Sequence, residues 1–149
     1  MSAPPGTPPV GAALIARGAS RALEEWGYAC LREFPLANAR RADILALGTK
    51  GEVVIVEVKS SIADFRADNK WSHYRDFSDR LYFAVAHGFP TMLIPEDCGL
   101  MVADAFGAAL LRDGTATPLS AARRRALTLR FGRVAARRLQ RCLDAVATP

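Results

Sequence analysis

Residues 41–60 read RADILALGTKGEVVIVEVKS, and this stretch decides the fold. Two apolar segments, 41–48 and 52–60, flank a Gly-Thr-Lys-Gly turn. That pattern predicts an antiparallel hairpin centred on Lys50, in which residues whose numbers sum to about 100 lie opposite one another. Asp43 then faces Glu57. Side chains alternate along a strand, so Asp43, Glu57 and Lys59 share one face. Directly opposed side chains lie within about 5 Å. Two carboxylates and an ammonium therefore converge inside otherwise apolar strands. Burying charge is costly unless a metal or partner compensates it. The cluster reads as a place where a divalent cation meets a phosphate, rather than as core packing.

Outward from the hairpin, Val10–Trp26 reads as a helix, with Ile15, Ala19, Ala22, Leu23 and Trp26 on one stripe and Gly27 as its stop. Tyr28–Leu36 alternates loosely and predicts a strand, and 37–40 a turn. Ala42–Leu47 and Val53–Val58 are apolar on both faces, as central strands covered on both sides are. Ser60-Ser61 opens a polar helical stretch carrying Phe65, Trp71, Tyr74 and Phe77 and ending near Ser78. Arg80–Ala86 predicts a further strand, and Thr91–Ile94 is short and apolar. Gly99–Ala103 and Ala108–Arg112 predict a second hairpin. Ser120 caps a final helix to about Ala145. This order predicts an α/β fold with a mixed sheet flanked by helices.

Composition narrows the function. The chain has 149 residues, half of them hydrophobic, enough for one domain with a real core. No run of about 18 apolar residues predicts a membrane span. Residues 1–9 are Pro-rich, without the order of a signal peptide, and predict a flexible tail ahead of a domain over 10–119 and a basic helix over 120–149. Cys30, Cys98 and Cys142 are scattered and odd in number, so they predict neither a disulfide framework nor a zinc site, and a cytoplasmic, nucleoid-associated location is expected. From Ser120 onward there are eight Arg and one Asp, a balance of +7. The net charge is +5, so the rest of the chain carries 5 − 7 = −2. A basic terminal element on a near-neutral body fits a polyanion. Arg also outnumbers Lys 17 to 3, a bias that composition alone can produce.

Hydrolysis of a phosphodiester needs charge neutralised at the phosphorus, water activated and the leaving oxygen stabilised. Mg²⁺ or Mn²⁺ held by a few carboxylate oxygens supplies much of this. Asp43 and Glu57 offer hard oxygen ligands, the Val58 carbonyl a third, and Lys59 a cation to orient water. An Asp followed by a hairpin and Glu-x-Lys, between two helices, resembles the PD-(D/E)xK nuclease superfamily, whose core order is αβββαβ. Ala42 stands where that motif has Pro. More closely, Arg40-Arg-Ala-Asp-Ile-Leu-Ala-Leu47, Glu57-Val-Lys-Ser60, Asp64-Phe65, Lys70-Trp71, Tyr74 and Asp79-Arg-Leu-Tyr-Phe-Ala-Val85 resemble the MmcB family of bacterial DNA-repair proteins, over roughly Val10 to Arg112. The resemblance implies a restriction-endonuclease-like core, Asp43 and Glu57 as metal ligands and Lys59 as catalytic lysine. It also implies roles for Lys70 and Tyr74, where related nucleases place Gln-x-x-x-Tyr. A third carboxylate from the first helix would have to be Glu24 or Glu25, both off its apolar stripe. A homodimer is compatible with the resemblance, though no dimer seam is evident.

The remaining candidates each have a plain structural reading. Lys70 and Tyr74, four apart, would share a helical face, over the site or simply as a solvated Lys and a core Tyr. Trp71 and Phe65 read as core, His73 as exposed, and Asp79 as a cap or a partner of Arg75 or Arg80. Arg40 and Arg41 stand at the mouth of the site. Arg123, Arg130, Arg133, Arg137 and Arg141 fall within an arc of roughly 80° at 100° per residue, without interleaved acids, while Phe131, Ala135, Leu139, Cys142 and Val146 cluster elsewhere. The Arg stripe is expected to meet the DNA backbone, and the small Ala-rich seam argues against membrane binding. The expected function is a Mg²⁺- or Mn²⁺-dependent DNA endonuclease in repair. The alternative is a catalytically inactive DNA-binding or scaffold module whose apolar seam docks other repair proteins; RNA is a further possible substrate.

Overall fold

Six strands form one mixed sheet, in the spatial order β1-β2-β3-β4-β5-β6. The computed structural model describes residues 10–68 and 70–147; the expected tail at 1–9 lies outside the described residues. Along the chain come α1 (Val10–Glu25), β1 (Ala29–Pro35), β2 (Arg41–Leu47), β3 (Val53–Lys59), α2 (Ile62–Ala67), β4 (Arg80–Val85), β5 (Gly99–Ala103), β6 (Ala108–Arg112) and α3 (Ala121–Ala147). β1, β2 and β3 are mutually antiparallel, β3–β4 and β4–β5 are parallel, and β5–β6 is antiparallel. Among the described residues no helix is long and apolar enough to cross a membrane.

The β2–β3 hairpin has the predicted register. Ile44 pairs with Val56 and Leu47 with Val53. The turn sets it: Gly51 N–H donates to Gly48 O at 3.0 Å, and Gly48 N–H to Glu52 O at 2.8 Å. Gly51 has φ of +86°, which a side chain at that position would resist. A three-residue loop ending in a left-handed glycine fixes pairing without slip.

Each face of the sheet has its own core. Ile15, Ala19 and Leu23 of α1 pack on Ile44, Val54, Val56 and Met101. Gly18 lets the helix lie this close, because a Cβ there would stand 1.7 Å from the Asp104 carbonyl. On the other face Leu45, Val53, Ile55 and Phe83 are covered by Tyr74, Leu127 and the half-buried Phe65, Trp71 and Phe131. Phe65 and Trp71 both meet Phe83 edge-on, at 5.6 and 5.5 Å between centroids.

Two expectations need correction. The helical stretch after β3 is not continuous: α2 stops at Ala67, and Trp71–Phe77 is a 3-10 helix. Trp71, Tyr74 and Phe77 recur every three residues, which is the 3-10 period. The short apolar Thr91–Leu93 forms a single 3-10 turn. Asp79 pairs with neither Arg75 nor Arg80. It accepts from Arg124 at 2.6 and 2.7 Å and from the N–H groups of Val53 at 2.7 Å and Leu119 at 2.9 Å. Arg75 instead pairs with Asp97 and lies over the Trp71 ring.

Asp79 thus ties the start of β3 to the first turn of α3. Burial raises its pKa, but Arg124 and the two backbone donors outweigh burial and lower it. Its stabilisation is therefore complete above the unfolded carboxylate pKa of about 4 and is lost as pH falls through the depressed folded value. Asp79→Ala is expected to cost about 2–3 kcal/mol in urea unfolding at neutral pH, with the difference from wild type shrinking in acid.

Candidate functional site

The β2–β3 ladder runs out just where the acids sit. Its last pair is Ile44–Val56. Beyond it, each carboxylate takes a backbone N–H of the opposite strand: Glu57 Oε1 accepts from Asp43 N–H at 3.1 Å, and Asp43 Oδ2 from Val58 N–H at 2.8 Å. The side chains replace two missing rungs, which pulls both carboxylates inward and side by side. Glu57 is 3% and Lys59 5% exposed, and Asp43 is half-buried. All three line one cavity of about 520 Å³, with Ala12, Ala13 and Ala16 of α1 leaving room on one side.

Electrostatics follows from crowding. Burial first, and the neighbouring Asp43 second, push the Glu57 carboxyl up to about 9. Burial also raises Asp43, partly offset by the Val58 N–H. Lys59 does not neutralise the pair directly: its Nζ donates to Asp68 Oδ2 at 2.7 Å. Burial raises Asp68, yet Lys59 and the Lys70 N–H more than offset this and hold it below its ordinary value. Asp68 therefore stays ionised and fixes the ammonium at the cavity wall.

Tyr74 lines the same cavity, and its hydroxyl donates to the Arg41 carbonyl at 2.9 Å, anchoring the start of the strand that carries Asp43. Burial, Glu57 and Asp43 push its pKa to about 12, so it remains a neutral donor. Lys70 does not share its face. It caps the 3-10 helix from outside and is exposed; at three residues per turn, positions four apart diverge. Arg41 is exposed and lies 3.8 Å from Glu33. Arg40 sits close enough to act on Asp68 and Tyr74. Glu24 and Glu25 are exposed at the far end of α1, away from the cavity-lining Ala12–Ala16.

Sequence reasoning missed Arg32, Glu33, Asp64 and Asp68, which all line the cavity. Asp64 was readable: Ser61 Oγ accepts its N–H at 3.0 Å, while its own carboxylate takes the Ser60 N–H at 3.2 Å, a variant of the reciprocal helix cap. Asp68 had no signal, because its position depends on the break after α2. Glu33 has φ of +49°, rare for a residue with a side chain, opposite Asp43. Arg138 of α3 clamps the carbonyls of Arg32 and Glu33.

The Arg stripe runs along β1. Arg130 is half-buried, with its Nη1 3.4 Å from the Pro35 carbonyl, whereas Arg133, Arg137 and Arg141 are exposed. Arg123 packs on the Phe77 ring at 4.7 Å and donates to the Asp76 carbonyl, so it serves the fold.

A family model described as DNA repair protein MmcB-like matches residues 4–146, a span that takes in the site and nearly all of α3. The chain belongs to the MmcB-like family. It is also similar to a solved structure, the SPO1766 protein of unknown function from Silicibacter pomeroyi, at 39% identity and a TM-score of 0.89, covering 96% of this chain and 98% of that one. No curated protein matches. The α/β fold with its six-stranded mixed sheet is therefore shared beyond this MmcB-like chain.

The donor set suits a hard divalent cation. Two carboxylates and a nearby carbonyl are the ligands Mg²⁺ takes from proteins, water completing the shell. Among the described residues no group of three or more His, Cys, Asp or Glu converges on one point, so the fit is to an ion content with two carboxylates.

A pH test isolates Glu57. Its raised pKa means that its contribution to stability is full below about 4.5 and is lost as pH rises through about 9. Glu57→Gln keeps an acceptor for the Asp43 N–H and cannot ionise. The variant is expected to melt above wild type at pH 9 and to lose most of that advantage by pH 5, in melts with chelator present.

Proposed function

We propose that this protein is a metal-dependent DNA nuclease acting in repair, built on a restriction-endonuclease-like core of the PD-(D/E)xK type. The observation that carries the reading is the side-by-side burial of Asp43 and Glu57, without a directly paired cation, in a cavity shared with Lys59. The order α1-β1-β2-β3-α2-β4 supports it, as does the DNA-repair description of the family.

Asp43, Glu57 and the Val58 carbonyl would hold Mg²⁺ or Mn²⁺, and such an ion supplies Lewis-acid stabilisation of charge at the phosphate. The rest falls to the chain. Lys59, held by Asp68, presents an ammonium that orients water and offsets charge developing on the phosphate oxygens. Tyr74 keeps the Asp43 strand in place through the Arg41 carbonyl. Arg40, Arg41 and the exposed Arg133, Arg137 and Arg141 grip the sugar-phosphate backbone, positioning substrate without reading bases.

One observation favours the non-catalytic alternative: the 2.7 Å pair between Lys59 and Asp68 leaves the lysine partly neutralised. Activity separates the two readings. With Mn²⁺, the purified protein is expected to nick branched or single-stranded DNA. Lys59→Ala should lower the rate about 100-fold or more while DNA affinity stays within a few-fold. Nicking by Lys59→Ala at the wild-type rate, or none by wild type on a broad DNA panel, would sink the enzyme reading; binding without nicking would establish the alternative.

A further inference from the structure

The helix α3 has two apolar faces, not the single seam that its sequence predicts. Leu127, Phe131 and Val134 pack against the sheet. Leu129, Leu139, Leu143 and Val146 are 65%, 61%, 57% and 85% exposed. Together with exposed Gly132 and Ala136 they recur at spacings of three, four, three, four and three. That is the 3.5-residue period of a seam that packs against another helix. At 100° per residue the seam points roughly opposite the sheet-packed face, so a partner could lie along it without meeting the body.

Gly132 adds an independent observation. Glycine weakens a helix interior, and among the described residues, its own helix backbone and chain neighbours aside, no atom lies within 4 Å of where its Cβ would stand. Nothing within the described fold calls for a small residue there; a second helix lying close would.

We propose that this seam pairs with the same seam of a second copy, antiparallel, in a two-fold symmetric dimer. Self-complementarity selects the occupant. Centring the pair between Ala136 and Leu139 sets Leu129 against Val146, Gly132 against Leu143 and Ala136 against Leu139 of the second copy. Each small residue then meets a leucine, which fills the seam. A parallel pair would instead stack Gly132 on Gly132 and Ala136 on Ala136, leaving gaps of the kind packed interiors avoid.

Charge agrees. Antiparallel helices align their dipoles favourably. On one flank Arg133 lies across from Gln140 of the second copy, not from an arginine, and Asp144 of the second copy is level with Arg130 and Arg133. The other flank carries Thr128, Ala135 and Cys142 next to the seam, and Arg138 beyond them is turned to the Arg32 and Glu33 carbonyls. The two-fold axis also brings both Arg stripes to the same side of the pair, joining Arg133, Arg137 and Arg141 of the two copies into one basic surface. The proposal does not rest on the nuclease reading, because it is tested without DNA or metal.

Sedimentation equilibrium of the full chain from about 5 to 200 µM is expected to show a dimer, and the double variant Leu139→Glu/Leu143→Glu a monomer whose melt matches that of wild type diluted until it is monomeric. Should that variant melt early, Val146→Glu, in the last exposed turn, is expected to weaken dimerisation at least tenfold with the fold intact. Orientation is read by Ala135→Cys, which antiparallel pairing sets beside Cys142 of the second copy. Mild oxidation should then give a covalent dimer that adding Cys142→Ser abolishes. Wild type that stays monomeric throughout, leaving the seam to another helix, would overturn the proposal. So would a dimer indifferent to all these charges, or an Ala135→Cys chain that fails to cross-link.

Discussion

Two carboxylates that lose most of their water at the end of one β-ladder constrain everything around them. Asp43 and Glu57 are driven together because each satisfies a backbone N–H left over where β2 and β3 stop pairing. Unpaired backbone donors are costly when buried, so the strands gain order from an arrangement the carboxylates resist. Burial first, and their mutual repulsion second, raise the Glu57 carboxyl well above the ordinary carboxylate range. On the proposed reading, a divalent cation held by both carboxylates would take the place of the Glu57 proton and relieve the repulsion.

The rest of the chain keeps that geometry from relaxing. Tyr74 holds the entry of β2, and the Asp79–Arg124 pair ties the entry of β3 to α3. Arg138, a further turn or more along α3 from the arginine at Pro35, clamps β1 at the residue opposite Asp43. The terminal helix is therefore a brace on the site as well as a carrier of charge. Its first half is anchored by Leu127 and Phe131, whereas its last turns are wholly exposed.

The hairpin, its register and the shared face of Asp43, Glu57 and Lys59 are legible in the sequence because a short glycine-bounded turn and two matched apolar segments leave one consistent pairing. The α1 face is legible for the same kind of reason, a single apolar stripe ending at a glycine. The segment between β3 and β4 is not. Its aromatics recur with a period of three that passes for the 3.6 of an α-helix, and the break that carries Asp68 to Lys59 depends on tertiary packing. The partner of Asp79 is hidden because Arg124 is 45 residues away in sequence. The second face of α3 is hidden by the usual habit of a terminal helix, which buries one side and wets the other.

Counting charges around the cavity gives the site a direction of use. Its lining carries five acids, Glu33, Asp43, Glu57, Asp64 and Asp68, against two bases, Arg32 and Lys59. Even with Glu57 protonated the acids prevail, so the cavity by itself attracts cations and repels phosphate. Arg32 lies inside, but the arginines proposed to hold DNA sit elsewhere, at the rim before β2 and along α3. This separation argues for a division of roles on the proposed reading. Asp43, Glu57 and the Val58 carbonyl would hold a divalent ion whose charge offsets the acids around it, and the rim arginines would hold the phosphate backbone next to it. Were the arginines inside and the acids outside, the pocket would attract polyanions without needing an ion at all, and the carboxylate pair would serve only the two backbone N–H groups it accepts from.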